Sequence, residues 1–288
     1  MGTVCVEVAV RDDPRLLDAL ASLALQERAP DRILVAASTA TPTQLVEAAR
    51  ARFPTLPLEV RAFPGGVVEA RAASLADLTE TVTAFLDADE RAPPGWLSHL
   101  VAPIEGGTAD FTGGPTRPLR PPRSSAERYS VLLEASIYAD LVPRQVTYLP
   151  LQNTAWRTEA LRRLGFDPRI PFAEDHDLET RAARAGLRGR FLPDAWVYHD
   201  GGAEANLYRW ARKRYRYLVA MTMSLLKNRE LGHRLAEKRR PVPHPLRFVE
   251  AALKPAALVH GWARWYRVST ARERAGARTG GPTSRDAR

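Results

Sequence analysis

The chain of 288 residues holds one cysteine, Cys5, set inside an apolar run. A disulfide framework and a cysteine-ligated zinc site are both excluded. No stretch approaches ~18 uninterrupted apolar residues, so no membrane-spanning helix is predicted. The opening MGTVCVEVAV lacks the basic start and small-residue cleavage site of a secretory leader, which predicts a cytoplasmic location. Lysine is missing from residues 1–206, where 22 Arg face 28 Asp plus Glu, a net −6. The overall +9 therefore comes from the C-terminal third. Residues 207–247 carry 12 basic and 2 acidic side chains, and residues 248–288 carry 8 and 3. A uniformly basic nucleic-acid binder is not built like this. A basic tail on an acidic body is suited to meeting something anionic.

At 45% apolar and 26% charged residues, the chain can form a sizeable core, as one large domain or two modest ones. Val4–Val10 reads as a buried strand. Asp12-Asp13-Pro14 predicts a helix start, with Leu16, Leu17, Leu20 and Leu23 at helical spacing through Gln26. Strands follow over Arg32–Ala37, Leu58–Ala62 and Thr83–Leu86, separated by helices over Pro42–Phe53 and Val67–Leu78. This alternation indicates an α/β fold with a mostly parallel sheet, whose ligands bind beyond the carboxyl ends of the strands. Residues 113–123, rich in Pro, Gly and Arg, predict a long loop. Further on, Ala126–Ala139 reads as helix, Thr147–Trp156 as strand, and Glu159–Leu164 and Glu174–Ala185 as helices closed by Gly165 and Gly186. Arg190–Leu192 and Trp196–Tyr198 read as short strands, and Leu207–Leu226 as a long basic helix. Residues 271–288 predict a disordered tail.

Three carboxylate-bearing segments stand out. Asp87 and Asp89 end the fourth strand, where two carboxylates can take part of a divalent ion's oxygen shell if phosphates supply the rest. Taken alone, such a pair is more often a turn. Glu174-Asp175-His176-Asp177 opens a helix, where the dipole favours carboxylates and one of them could act as a general base. His199 follows the last short strand and could complete a metal's ligands as a neutral imidazole. Its simpler role is that of a satisfied, half-buried histidine.

In order, the chain shows L-x-x-L-x-S-L-x-x-Q (Leu17–Gln26), F-L-D-A-D-E with P-x-W-L (Phe85–Leu97), G-F-D (Gly165–Asp167), E-D-x-D-L-x-x-R-x-x-x-x-G (Glu174–Gly186) and V-Y-H (Val197–His199). Together these resemble a family 2 glycosyltransferase of the GT-A fold, over residues 3–215. The resemblance implies a Rossmann-like catalytic domain at 1–206, with the nucleotide-sugar part at about 1–112 and the acceptor part at about 113–206. A basic aromatic helical extension follows at 207–270, then the tail at 271–288. It implies an inverting transfer from a nucleotide-diphosphate sugar to an acceptor hydroxyl on a glycan, a lipid carrier or a small molecule. Mn2+ or Mg2+ is the implied cofactor. Asp89 and His199 match the metal position, and Asp175 matches the base. Asp87, Arg71, Ser38, Arg212 and Arg214 match the donor side, and Glu174 and Trp156 the acceptor side.

The chain departs from the family's pattern where D-D-x-S is replaced by Ala36-Ala37-Ser38-Thr39, so the base-reading aspartate is missing and the donor nucleotide is left open. No nucleic-acid partner is expected. Alternatives of other classes are a catalytically impaired binding module and a nucleic-acid or membrane binder acting through the basic third. A nucleotidyltransferase would carry a Gly-rich basic loop in place of Val10–Asp13. Phe248, Leu253, Leu258, Trp262, Trp265 and Tyr266 interleave with Arg247, Lys254, Arg264 and Arg267. That pattern suits either an anionic membrane surface on the inner leaflet or a helix packed on the body or on another subunit.

Overall fold

The computed structural model describes residues 2–139, 145–146, 149–201, 206–228 and 242–279. β1 (Val4–Val10) is a seven-residue strand with every residue buried. It is central, pairing in parallel with β2 (Arg32–Ser38) on one side and β4 (Val82–Leu86) on the other. β3 (Leu58–Phe63) pairs in parallel outside β2. Burial on both faces explains the unbroken apolar run. Val4, Val6, Val8 and Val10 join the core layer beneath α1 (Leu16–Leu23) and α4 (Trp96–Glu105), whereas Cys5 joins the opposite layer with Phe85, Phe111 and Trp156. α2 (Thr43–Arg52) and α3 (Val67–Ser74) complete the first half, and α3 runs into one 3-10 turn at Leu75–Asp77.

The first helix begins at Leu16, later than predicted. Asp13 accepts hydrogen bonds from the Arg15 backbone and guanidinium, at 3.0 and 2.8 Å. Asp12-Asp13-Pro14 is thereby a turn at the sheet's carboxyl edge instead of a helical first turn.

The second half adds β5 (Glu90–Arg91), β6 (Phe111–Gly113), β7 (Thr116–Pro118), α5 (Ser125–Tyr138), β8 (Gln145–Val146), β9 (Asn153–Arg157), α6 (Thr158–Leu164), α7 (Glu174–Arg184), β10 (Gly189–Phe191) and β11 (Val197–His199). The eight-stranded sheet has the order β3-β2-β1-β4-β9-β6-β10-β8, and β9 lies antiparallel between β4 and β6. A small sheet, β5-β11-β7, stands at the carboxyl edge. Part of the predicted 113–123 loop is thus ordered, because β7 gains β11 as a parallel partner. Gly114 is required there, since a Cβ would lie 1.8 Å from the Ala195 carbonyl oxygen. The strand predicted from Thr147 starts at Asn153, and residues 147–148 lie outside the described residues. Gly165 (φ 66°) and Gly186 (φ 72°) terminate α6 and α7 in left-handed conformations, as glycine permits.

Two long helices follow, α8 (Leu207–Lys227) and α9 (Leu246–Thr279). Trp210 of α8 is buried edge-to-face against Tyr129, at 5.5 Å between centroids. Lys227 and Asn228 both reach Asp177 of α7 at 2.9 Å. α9 continues to Thr279, past residue 270, where the disordered tail was predicted to start. Residues 270–279 hold three Ala, three Arg and one Glu, residues of good helix propensity, beside two Thr and Gly276. Residues 280–288 lie outside the described residues.

Candidate active site

The parallel strands β1, β2 and β4 bring their carboxyl ends to one edge, and β4 stops there at Leu86. Asp87–Glu90 then forms a closed turn. The Glu90 N–H donates to the Asp87 carbonyl, and the Asp87 N–H donates to the Glu90 carboxylate, each at 3.0 Å. Glu90 is itself buried; desolvation, with Asp87 next, pushes its carboxyl well above the ordinary range. The turn presents both Asp87 and Asp89 to a cleft of about 1290 Å³ including its open mouth.

Arg71 of α3 crosses beneath the cleft with its side chain only 5% exposed. Its guanidinium donates to Asp87, and to Glu174 at 3.3 Å. Burial opposes the Arg71 charge, but Asp87, Glu174 and Glu7 outweigh it and hold the cation firmly. Glu7, from the middle of β1, lies below and accepts a hydrogen bond from Ser74 at 2.9 Å. Desolvation raises the Glu7 carboxyl to about 7, against the pull of Arg71. Burial likewise raises Glu174 to about 7, opposed by Arg71 and reinforced by Asp175.

Asp89 faces His199 and Arg15. Its Oδ2 is 3.4 Å from His199 Nε2 and 3.4 Å from an Arg15 guanidinium nitrogen. Burial alone would raise its carboxyl; His199 and Arg15 together bring it below the ordinary value. Glu134 of α5 stands 3.5 Å from His199 Nδ1 and orients the ring from the other side.

α7 contributes its first turn. Glu174 and Asp175 line the cleft, whereas the rest of the acidic run is structural. Asp177 is fully buried and ion-paired to Arg181 at 2.8 Å and Lys227 at 2.9 Å. His176 shares a hydrogen bond with Ser224 at 2.9 Å, and buried Glu179 accepts the Leu149 N–H. Phe172, just before the helix, has φ 72° and is 42% exposed at the cleft. Arg216 stacks over its ring at 4.1 Å. A bulky residue held at positive φ is costly, and such strain concentrates at functional sites.

α8 closes the cleft with Trp210, Lys213, Arg214 and Tyr217, the i, i+3, i+4, i+7 face of that helix. Arg212, expected on the donor side, lies off this face, is exposed and does not line the cleft. Arg214 does reach the cleft, with one guanidinium nitrogen held by Glu250 at 2.6 Å. Two more residues expected at the site, Trp156 and Ser38, are not brought to the cleft lining. Trp156, expected on the acceptor side, is fully buried and stacks on Phe111 at 4.3 Å. Gln152, in the loop before β9, lines the cleft there instead. Ser38 is buried at the end of β2, accepts the Ala40 N–H at 3.3 Å, and is absent from the cleft lining. Arg15, Glu134, Lys213, Phe172 and Glu7 escaped the sequence reading. Lys213 carried a signal, being the first lysine of the chain and three residues after Trp210.

Among the described residues, no group of three or more His, Cys, Asp or Glu forms a ready metal cage. Asp89 Oδ2 and His199 Nε2, 3.4 Å apart, nevertheless suit two neighbouring positions on one ion. Atoms ~2.1 Å from an octahedral ion at right angles stand ~3 Å apart. The spacing of the pair therefore fits a divalent cation.

Residues 82–270 match the family model described as glycosyl transferase family group 2. The pre-mycofactocin glycosyltransferase of Mycobacterium tuberculosis is 32% identical over 141 residues, which is 47% of this chain and 30% of that protein. The chain thus spans less than a third of the curated relatives it matches. Among solved structures, the mannosyltransferase PcManGT from Pyrobaculum calidifontis, in complex with GDP-Man and Mn2+, superposes with a TM-score of 0.62 at 21% identity, over 98% of this chain and 76% of its own. S. aureus TarS 1-349 in complex with UDP superposes with a TM-score of 0.53 at 15% identity, over 95% and 92%. At such identities these structures support the fold alone. The chain belongs to glycosyl transferase family group 2.

Proposed function

We propose that this member of glycosyl transferase family group 2 moves a sugar from a nucleoside-diphosphate sugar to an acceptor hydroxyl with inversion. The observation that carries the proposal is the convergence of Asp89 and Asp175 on one cleft, although they lie far apart in the chain. Arg71 and Asp87 form the floor on the donor side. Lys213 and Arg214 bring positive charge over it from α8, where a diphosphate would sit. Asp89 and His199 are the residues that would hold Mn2+ or Mg2+. A divalent cation there would supply Lewis-acid stabilisation of the charge on the departing diphosphate. PcManGT, solved in complex with GDP-Man and Mn2+, is consistent with that assignment.

Asp175 takes the acceptor proton as the acceptor oxygen bonds to the anomeric carbon. The bond from that carbon to the phosphate oxygen breaks, and its electron pair leaves with the nucleoside diphosphate. A single displacement needs one carboxylate on the acceptor side, and a retaining route would need a second as nucleophile. Burial pushes the Glu174 carboxyl up to about 7, and it stands beside Asp175 at the acceptor side of the cleft. Phe172 offers an exposed ring at the same mouth. The neighbouring structures hold GDP-Man in one case and UDP in another, and Ala36 and Ala37 offer no base-reading carboxylate.

The test is a thermal-shift panel of UDP, GDP, dTDP and CMP with and without Mn2+, on the wild type and on Asp89→Ala. Ligand binding to the native state raises the melting temperature by mass action. A metal-dependent rise with one nucleotide, lost in Asp89→Ala, supports the reading and identifies the donor base. A rise that persists without metal and in Asp89→Ala removes Asp89 from the site.

A further inference from the structure

α9 has two unlike sides. Its inner side closes on α8, where Ala257 is buried with Val219 and Met223 and where Trp265 and Val268 pack beside them. At Gly261 the helices meet so closely that a Cβ would stand 2.6 Å from the Thr222 Cβ. Its outer side carries Phe248, Leu258, Val259, Trp262 and Tyr266, each 54–70% exposed. At 100° per residue these five fall on one stripe, about 27 Å long at the helical rise. Trp262 and Tyr266 stack along it, with centroids 5.9 Å apart. Single exposed apolar residues are ordinary on a protein surface, but a contiguous stripe marks an interaction face.

Charge shows what that face meets. At the same 100° per residue, Arg247 and Lys254 border one edge of the stripe and Arg267 lies beyond the other, while Arg264 falls on the opposite side of α9; all four are exposed. The carboxylate in this stretch, Glu250, is buried and already bound, accepting from Arg214 and from the Tyr129 hydroxyl at 2.6 Å each. From residue 246 to 271, then, α9 shows solvent four cations and no exposed carboxylate.

We infer that this face of α9 lies flat on an anionic lipid surface. Aromatic and aliphatic side chains on one stripe enter the headgroup boundary, and the flanking cations meet the anionic headgroups, each contributing about five-fold in partitioning. A second copy of the chain is a poorer occupant, because an isologous contact would press like charges together. No described helix is long and apolar enough to cross a membrane, so α9 rests at the surface instead of inserting end-on. α8 separates α9 from the cleft by a single helix layer, so docking would hold the cleft close to the lipid headgroups. The inference is independent of the transferase chemistry proposed above.

Co-sedimentation of the full chain with extruded vesicles tests it. One set would be phosphatidylcholine alone, the other phosphatidylcholine with about one-third phosphatidylglycerol. The expected result is binding to the anionic set only, falling at least about ten-fold when salt shortens the screening length from ~10 Å to a few Å. Val259→Asp/Trp262→Asp should lose binding by about ten-fold or more at an unchanged melting temperature. Lys254→Glu/Arg267→Glu, which leaves the stripe intact, should lose about as much from charge reversal alone. No sedimentation with anionic vesicles, or equal binding to both sets, would overturn the inference. So would a dimer by light scattering that Val259→Asp/Trp262→Asp reduces to a monomer.

Discussion

The floor of the cleft and the outside of the helical third use arginine in opposite ways. Arg71 is enclosed by Asp87, Glu174 and Glu7, and its charge is matched group by group. Arg212, Arg264 and Arg267 stand exposed on their helices. Electrostatics in the first region fixes positions, and losing the cation would leave buried carboxylates uncompensated. In the second region it makes a field, to which each charge adds a little and which salt can screen. The two regions therefore differ in how they respond to substitution, pH and salt.

The largest effect should come from the cleft. Asp175→Asn is expected to lower transfer by about 10²–10⁴-fold, the usual span for a general base, while the donor-induced rise in melting temperature survives. Normal transfer by that variant would remove Asp175 from the chemistry. Arg71→Met should cost about 3–5 kcal/mol in urea unfolding, because it strands Glu174, Asp87 and Glu7. The matching change on the helical third, Arg212→Ala, should stay within about 0.5 kcal/mol. Equal losses at the two positions would break the contrast between the regions.

A pH series would sharpen it. The Glu7 carboxyl is raised from 4.5 to about 7 in the folded chain, so the fold favours its protonated form. The resulting stability is fully present below about 4.5 and is lost as pH rises through about 7. Glu7→Gln should remove that slope between pH 5 and 8, at most about 3 kcal/mol of it. A slope unchanged in the variant would assign it to other groups, Glu174 first among them. The smallest effect is expected at the far end of α9, where deleting residues 271–288 should leave transfer within about two-fold, since no described contact beyond Val268 reaches the core.

The first half of the fold was legible because its signals are local. The buried run Val4–Val10, the leucines of α1 at helical spacing and the abrupt end of β4 before Asp87 each follow from residues next to one another. The second half was less so. β7 is a strand only because β11 lies alongside it, and three residues ending in proline carry no strand pattern of their own. In the site, Asp87, Asp89, Glu174, Asp175 and His199 were read as motifs and all line the cleft. Trp156 and Ser38, expected at the site from the resemblance, are buried and do not line the cleft.

The sequence by itself determined the α/β alternation, the edge at which ligands would bind, the carboxylates at that edge and the split between an acidic body and a basic third. Periodicity, composition and charge are properties of a chain read in order. Only the tertiary structure decided that Glu7 lies beneath Arg71, that Lys213 and Arg214 face the cleft while Arg212 does not, and that Asp89 is met by both Arg15 and His199. These are distances between segments remote in the chain, set by which strands pair and which helix faces close. No local pattern encodes them.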